Sequence, residues 1–206
     1  MESTPDPTAG WERNPVHADA PLPHPAGLVR SWLPGAGADA MLMTVSTVDA
    51  EGCPRARTVR LTGYDGERFL FHTDARSSKV AELAAEPRVA LTLLWAEDAR
   101  QLVVQGTARA TTGSQRERAY EALPPYLKQL AWLNSPEYAT LSLAQRERRW
   151  ADFAREHPDP PQPQTWTGFA VTPHRLLFWA STGRAASRRL EYTRGSDGWD
   201  VRHLPG

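Results

Sequence analysis

The chain has 206 residues, 40% of them hydrophobic and 23% charged, which suits one globular unit with a real core and argues against disorder. Lysine plus arginine (24) balances aspartate plus glutamate (24), so the global basic field that non-specific nucleic-acid binding needs is absent. A single cysteine, Cys53, rules out an internal disulfide. No apolar run is long enough to span a bilayer, and the acidic, proline-containing start MESTPDPTAGWERNP is unlike a secretory leader, so the expected compartment is the cytoplasm.

Residues 1–25 carry prolines and few periodic apolar positions and read as a flexible N-terminal arm, with one domain over 26–206. Leu28, Val29, Trp32 and Leu33 then repeat at helical spacing, and Pro34-Gly35 stops the helix. From Ala40 the period becomes two. MLMTVSTV, RARTVRLTGY and RFLFHT read as three strands joined by turns at Asp49-Ala50-Glu51-Gly52 and Asp65-Gly66, with Cys53 as a small residue beside the turn glycine. Ser77 opens a helix, SSKVAELAAE, which Pro87 closes, and VALTLLW and QLVVQGTARA give two more strands.

Ser114 with Glu117 predicts a capping box for a helix running to Leu123, and Ser142 with Gln145 predicts another for LAQRERRWADFAREH. In the latter, Trp150, Phe153 and Ala154 form an apolar stripe expected to pack on the barrel. PDPPQPQ is a stiff connector. GFAVT, RLLFWA, RRLEYT and WDVRHL return to strand pattern, with Pro173 and Gly195-Ser196-Asp197-Gly198 as turns. The order predicts a mainly β fold with added helices, a barrel rather than a doubly wound sheet.

The six histidines have no helical pairing and no partner cysteine, so nothing supports a metal site. No nucleophile elbow, Walker loop or dinucleotide glycine pattern is present. What remains is phosphate-sized: Arg57 on a strand, and Ser77, Ser78 and Lys79 opening a helix whose free N–H groups favour an anion. The same residues also fit a plain helix cap with a solvated lysine.

The segments MTVSTVDAEGCPRARTVRLTGYD, FHTDARSSKVAELAAEPRVALTLLW, RQLVVQG, WTGFAVTPHRLLFW and RRLEYTRGSDGW together resemble the pyridoxamine 5′-phosphate oxidase family, its phenazine-biosynthesis branch included. The resemblance implies a split β-barrel that dimerises, with flavin mononucleotide (FMN) in the cleft between subunits and residues 166–206 in the dimerisation region. It also implies the flavin contacts. Arg57 and Lys79 would meet the phosphate, Thr73 and Ser78 the phosphate and ribityl region, Gln101 the isoalloxazine edge, and Trp179 and Arg189 the flavin of the other subunit.

Some family positions differ. Ser78 stands where the family has arginine, and His72 where it has tyrosine; His72 reads either as a ring-edge donor or as a half-buried strand histidine. The family's substrate-phosphate residues, a lysine, a tyrosine, an arginine and a serine, match Thr62, Tyr120, Pro124 and approximately Lys128, and by ungapped alignment its substrate arginine and histidine match Ala185 and Ser187. Losing two or more charge-assisted contacts removes several kcal/mol, at roughly 1.5–3 kcal/mol each.

The sequence therefore predicts an FMN-dependent oxidoreductase acting on a small organic substrate, cyclic ones included, other than the vitamin B6 phosphate. Tyr120, Arg184 and Ser187 are the candidate substrate contacts, and no catalytic residue is assigned. Lys128, Arg184 or Arg188 could supply replacement charge. A genuine pyridoxine/pyridoxamine 5′-phosphate oxidase with rewired contacts, and a non-catalytic flavin-binding module, stand as alternatives.

Overall fold

The computed structural model describes residues 14–33, 41–182 and 185–206. Residues 1–13 of the expected arm, the helix stop at Pro34-Gly35 and Arg184 lie outside the described residues.

Nine described strands make one antiparallel sheet: β1 Leu42–Val48, β2 Pro54–Arg60, β3 Gly63–Tyr64, β4 Phe69–Asp74, β5 Arg88–Trp95, β6 Arg100–Ala110, β7 Trp166–Thr182, β8 Ala185–Arg194 and β9 Trp199–Pro205. The order is β2-β1-β5-β6-β7-β4-β3, with β8 on β7 and β9 on β8. The split in this barrel lies along β7. Its first part pairs β4 from Asp74↔Trp166 to Phe69↔Val171, its second part pairs β8 from Arg175↔Thr193 onward, and β6 follows its other edge.

Alternation explains which side chains go inward. Met43 and Val45 on β1, Leu91 and Leu93 on β5, Leu102 and Val104 on β6, and Leu176 and Phe178 on β7 are buried in one core. The helix α1, Ala26–Trp32, closes that core with Leu28, Val29 and Trp32; the Trp32 ring meets Phe178 edge-on at 5.2 Å. Burying side chains of this size is worth about 1.5–3 kcal/mol each. Asn14 to Pro25 are pinned to the barrel: Val16 is fully buried, Arg188 donates to the carbonyls of Val16 and Ala18, and the Tyr192 hydroxyl donates to Leu22.

Four expectations are corrected. RARTVRLTGY is not one strand: the Leu61 N–H bonds to Met41 (2.9 Å) and the Thr62 N–H to Leu70 (2.8 Å), so the chain changes partner strand there. Pro173 is not a turn but part of β7, at the register shift opposite Gln105/Gly106, where a residue without an N–H is tolerated. Gly106 is needed at that shift, since a Cβ there would lie 2.4 Å from the Thr172 carbonyl oxygen. The first middle helix, α3 Gly113–Glu121, is capped by Thr112 and Gln115, not by Ser114 and Glu117.

The fourth concerns the last long helix, α6 Leu143–Glu156. It has no fully buried residue and packs on α4 Pro125–Leu133 rather than the barrel, through Tyr126–Trp150 (5.2 Å) and Trp132–Phe153 (6.2 Å). Its box of Ser142 and Gln145 forms as predicted. The remaining helices are α2 Ser78–Ala85 and α5 Pro136–Ala139. No helix among the described residues is long and apolar enough to cross a membrane.

Candidate functional site

A cavity of about 520 Å³ lies between the sheet, the start of α2 and the inner side of α4. Its walls include Leu42, Arg60, Thr62, His72, Thr73, Lys79, Leu127, Leu130 and Trp166.

At the α2 end, Lys79 is only 7% exposed, yet among the described residues its ammonium meets just two neutral oxygens, Thr73 Oγ1 at 3.0 Å and Ser77 Oγ. Burial, then the charge of Arg57, lowers its pKa, against the pull of Glu82 and Asp74. Ser77 is the N-cap residue of α2 but its hydroxyl caps nothing, so the first-turn N–H groups keep their anion-binding capacity. A buried cation with hydroxyl neighbours and a helix N-terminus beside it fits a bound phosphate.

Arg57 and Ser78 sit behind this cradle and meet at Glu82. The Arg57 guanidinium donates to Glu82 Oε2 at 2.6 Å and to Thr47 Oγ1, and Thr47 and Ser78 also bond the carboxylate. Burial pushes the Glu82 carboxyl up, but these donors outweigh it and hold it below the usual range.

At the α4 end the polar groups are already engaged. The Thr62 hydroxyl donates to the Leu70 carbonyl at 3.0 Å and lies 2.8 Å from His72 Nδ1. Its one proton goes to Leu70, so the network assigns the His72 proton to Nδ1 and leaves Nε2 as an acceptor, buried and without a partner among the described residues. Burial, then the charge of Arg116, drops the His72 pKa to about 4. Its neutral ring stacks on Trp166 at 5.4 Å with an interplanar angle of 8°. Gly168 lies opposite, where a Cβ would come within 2.3 Å of the imidazole.

The other predicted residues lie outside the cavity. Tyr120 is 4% exposed and its hydroxyl reaches the Pro160 and Pro161 carbonyls (3.0 and 2.9 Å), so it anchors the connector. Lys128 pairs with Asp159 at 2.6 Å, and Arg188 holds the N-terminal segment. Gln101, Trp179 and Arg189 are direct cross-strand partners on β6, β7 and β8, forming one row on the outer face. None of the three has a side-chain hydrogen bond among the described residues, and Leu94, 56% exposed, extends the row. Ser187 lies beside the C-terminal Gly206.

A profile described as pyridoxamine 5′-phosphate oxidase matches residues 37–180.

The chain belongs to the pyridoxamine 5′-phosphate oxidase family.

Relatives named pyridoxine/pyridoxamine 5′-phosphate oxidase include one from Rubrobacter xylanophilus, 38% identical over 76% of this chain and 73% of its own length. Another, from Streptomyces avermitilis, is 36% identical over 79% of this chain and 74% of its own. The fold is shared with PhzG from Burkholderia lata, solved in complex with tetrahydrophenazine-1-carboxylic acid (TM-score 0.79, 22% identity, 91% of this chain and 95% of that one). It is also shared with a pyridoxamine 5′-phosphate oxidase-related, FMN binding protein from Nostoc punctiforme (TM-score 0.65, 17% identity, 81% and 87%).

Within this family member, sequence reasoning did not identify Arg60, Trp166 or the α4 wall as parts of the cavity. Arg60 had a signal, since it stands two residues before Thr62 on the same chain segment. Trp166 and the α4 leucines had none, because long-range packing brings them to the sheet.

Proposed function

We propose that the chain is an FMN-dependent oxidoreductase acting on a small organic substrate, cyclic ones included, and working as a homodimer with FMN between the subunits. When bound, FMN supplies the redox chemistry, accepting a hydride from a substrate carbon and passing electrons to oxygen. Lys79, Thr73 and the first turn of α2 would hold its phosphate, with Arg57 kept close by Glu82. Gln101, Trp179 and Arg189 form a row of unengaged donors and an aromatic face away from that cradle, which supports a site completed by a second copy. Tyr120, Arg184 and Ser187 are retained as substrate contacts on the family resemblance alone.

One observation carries the claim that the vitamin B6 phosphate is not the substrate: Thr62, at the family's phosphate lysine, gives its only proton to Leu70. Lys128, the nearest replacement on α4, is paired with Asp159. The competing reading, a genuine pyridoxine/pyridoxamine 5′-phosphate oxidase, draws support from the names of the relatives. Anaerobic mixing of flavin-loaded protein with pyridoxamine 5′-phosphate separates the two. The expected result is no bleaching of the flavin bands, whereas rapid bleaching and turnover with a micromolar KM would establish the competing reading.

A further inference from the structure

Arg57 stands on β2 opposite Val45 of β1, beside Thr58 of the cavity wall, and its charge acts on Lys79. Three acceptors hold its guanidinium among the described residues. Nη2 donates to Glu82 Oε2 at 2.6 Å, and Nη1 donates to Thr47 Oγ1 and, at 3.4 Å, to the Val45 carbonyl. Thr47, 2% exposed, gives its own proton to Glu82 Oε2, which closes a ring of three side chains. Glu82 reaches this point because it lies one turn after Ser78 and Lys79 on α2 and shares their helix face. A guanidinium has five N–H groups, and these contacts use three of them. Nε–H and the second Nη2 hydrogen are left, a parallel pair suited to two phosphate oxygens.

We infer that Glu82 is a positioning residue for the flavin phosphate: with Thr47 it holds Arg57 near Lys79 and leaves that donor pair free. The inference rests on the cradle being the flavin-phosphate site proposed above. Two cations close together and away from water repel each other, and a long arginine side chain samples many rotamers unless something fixes it. The Glu82 carboxylate offsets the repulsion and fixes the guanidinium before the ligand arrives, so less ordering is left to the binding step. The pairing is sheltered, since the Glu82 side chain is 9% exposed and that of Arg57 22%. Glu82 thus acts on the phosphate only through Arg57.

Fluorescence titration of the flavin-free full chain with FMN tests this. Glu82→Ala should bind FMN about tenfold more weakly than the parent, and Glu82→Gln, which keeps an acceptor for Arg57, within about threefold of it. In an Arg57→Ala background, adding Glu82→Ala should change FMN affinity by under about twofold, because a positioning residue has no effect without the residue it positions. Thr47→Val, which removes the second hold on the guanidinium, should weaken FMN binding by about threefold and decides the matter if Glu82→Ala does not fold. The inference is overturned if Glu82→Ala binds FMN as tightly as the parent or more tightly, which would make the carboxylate a source of repulsion. A Glu82→Gln variant as weak as Glu82→Ala, or a loss that persists without Arg57, overturns it as well. Failure of both Glu82→Ala and Thr47→Val to fold does the same, by making the cluster part of the scaffold. A protein that takes up no FMN defeats the proposed function instead. Inorganic phosphate titrated into that protein calorimetrically still reads the cradle: Glu82→Ala should weaken its binding by a similar factor, and equal binding, or none by the parent, overturns the inference.

Discussion

Two buried charges in this molecule are handled in opposite ways. Glu191 on β8 is fully buried and accepts from Arg175 Nε and Arg202 Nε, each at 2.5 Å, so both carboxylate oxygens have a charged donor. Burial raises its pKa, and the two arginines more than reverse that, leaving it below the usual carboxylate range. Lys79 is almost as deeply buried but, among the described residues, meets only hydroxyls, with no carboxylate in contact. A charge whose partners are complete stabilises the fold; a charge left without a counterion carries a desolvation cost that a bound anion relieves. The first is a charge completed by the scaffold; on the function proposed above, the second is completed by a ligand.

That contrast yields its largest effect at Lys79. Lys79→Met should weaken FMN binding by about 100-fold, measured by fluorescence titration, while the flavin-free protein melts no lower than the parent. Unfolding of flavin-free Lys79→Met below the parent would show that the lysine is structural after all. Glu191→Gln should do the reverse, lowering stability to urea by about 2 kcal/mol and leaving FMN affinity within about threefold. An intermediate effect, about tenfold weaker FMN binding, is expected for Arg189→Gln on the outer row, with the fold intact.

The smallest effect concerns pH. The unfolded chain protonates its imidazole near 6.5, whereas folded His72 stays neutral down to about pH 4. Its folded pKa is depressed, so stability is full above about 6.5 and declines as pH falls towards 4. His72→Gln should flatten the dependence of Tm on pH within that window. An unchanged slope would mean that His72 is solvated enough to charge in the folded protein.

Much of the barrel was legible because alternation and helical spacing are local signals. Met43 and Val45, or Leu28, Val29 and Trp32, announce their inward faces within one element. The misread places were those decided by partners distant in sequence. Pro173 looks like a strand end until β6 supplies a register shift opposite it. The corner at Leu61–Thr62 exists because the chain leaves Met41 for Leu70. Thr112 and Gln115 fit the same capping pattern as Ser114 and Glu117, and only the helix start distinguishes them.

The candidate site divides similarly. Lys79 and Thr73 were readable from motif position and come together in the cavity wall, with Ser77 beside them. Arg57 was readable as a residue, but its engagement by Glu82, four positions into α2 from Ser78, was not. The sequence also offered no means to know that Tyr120 and Lys128 are held by the connector, because Pro160, Pro161 and Asp159 reach them from about 30 to 40 residues away.

The most direct test of the account is the absorbance spectrum of the purified protein during size-exclusion chromatography with mass determination. A dimer carrying one flavin per subunit is the expected result. A colourless monomer that takes up no added FMN would contradict it.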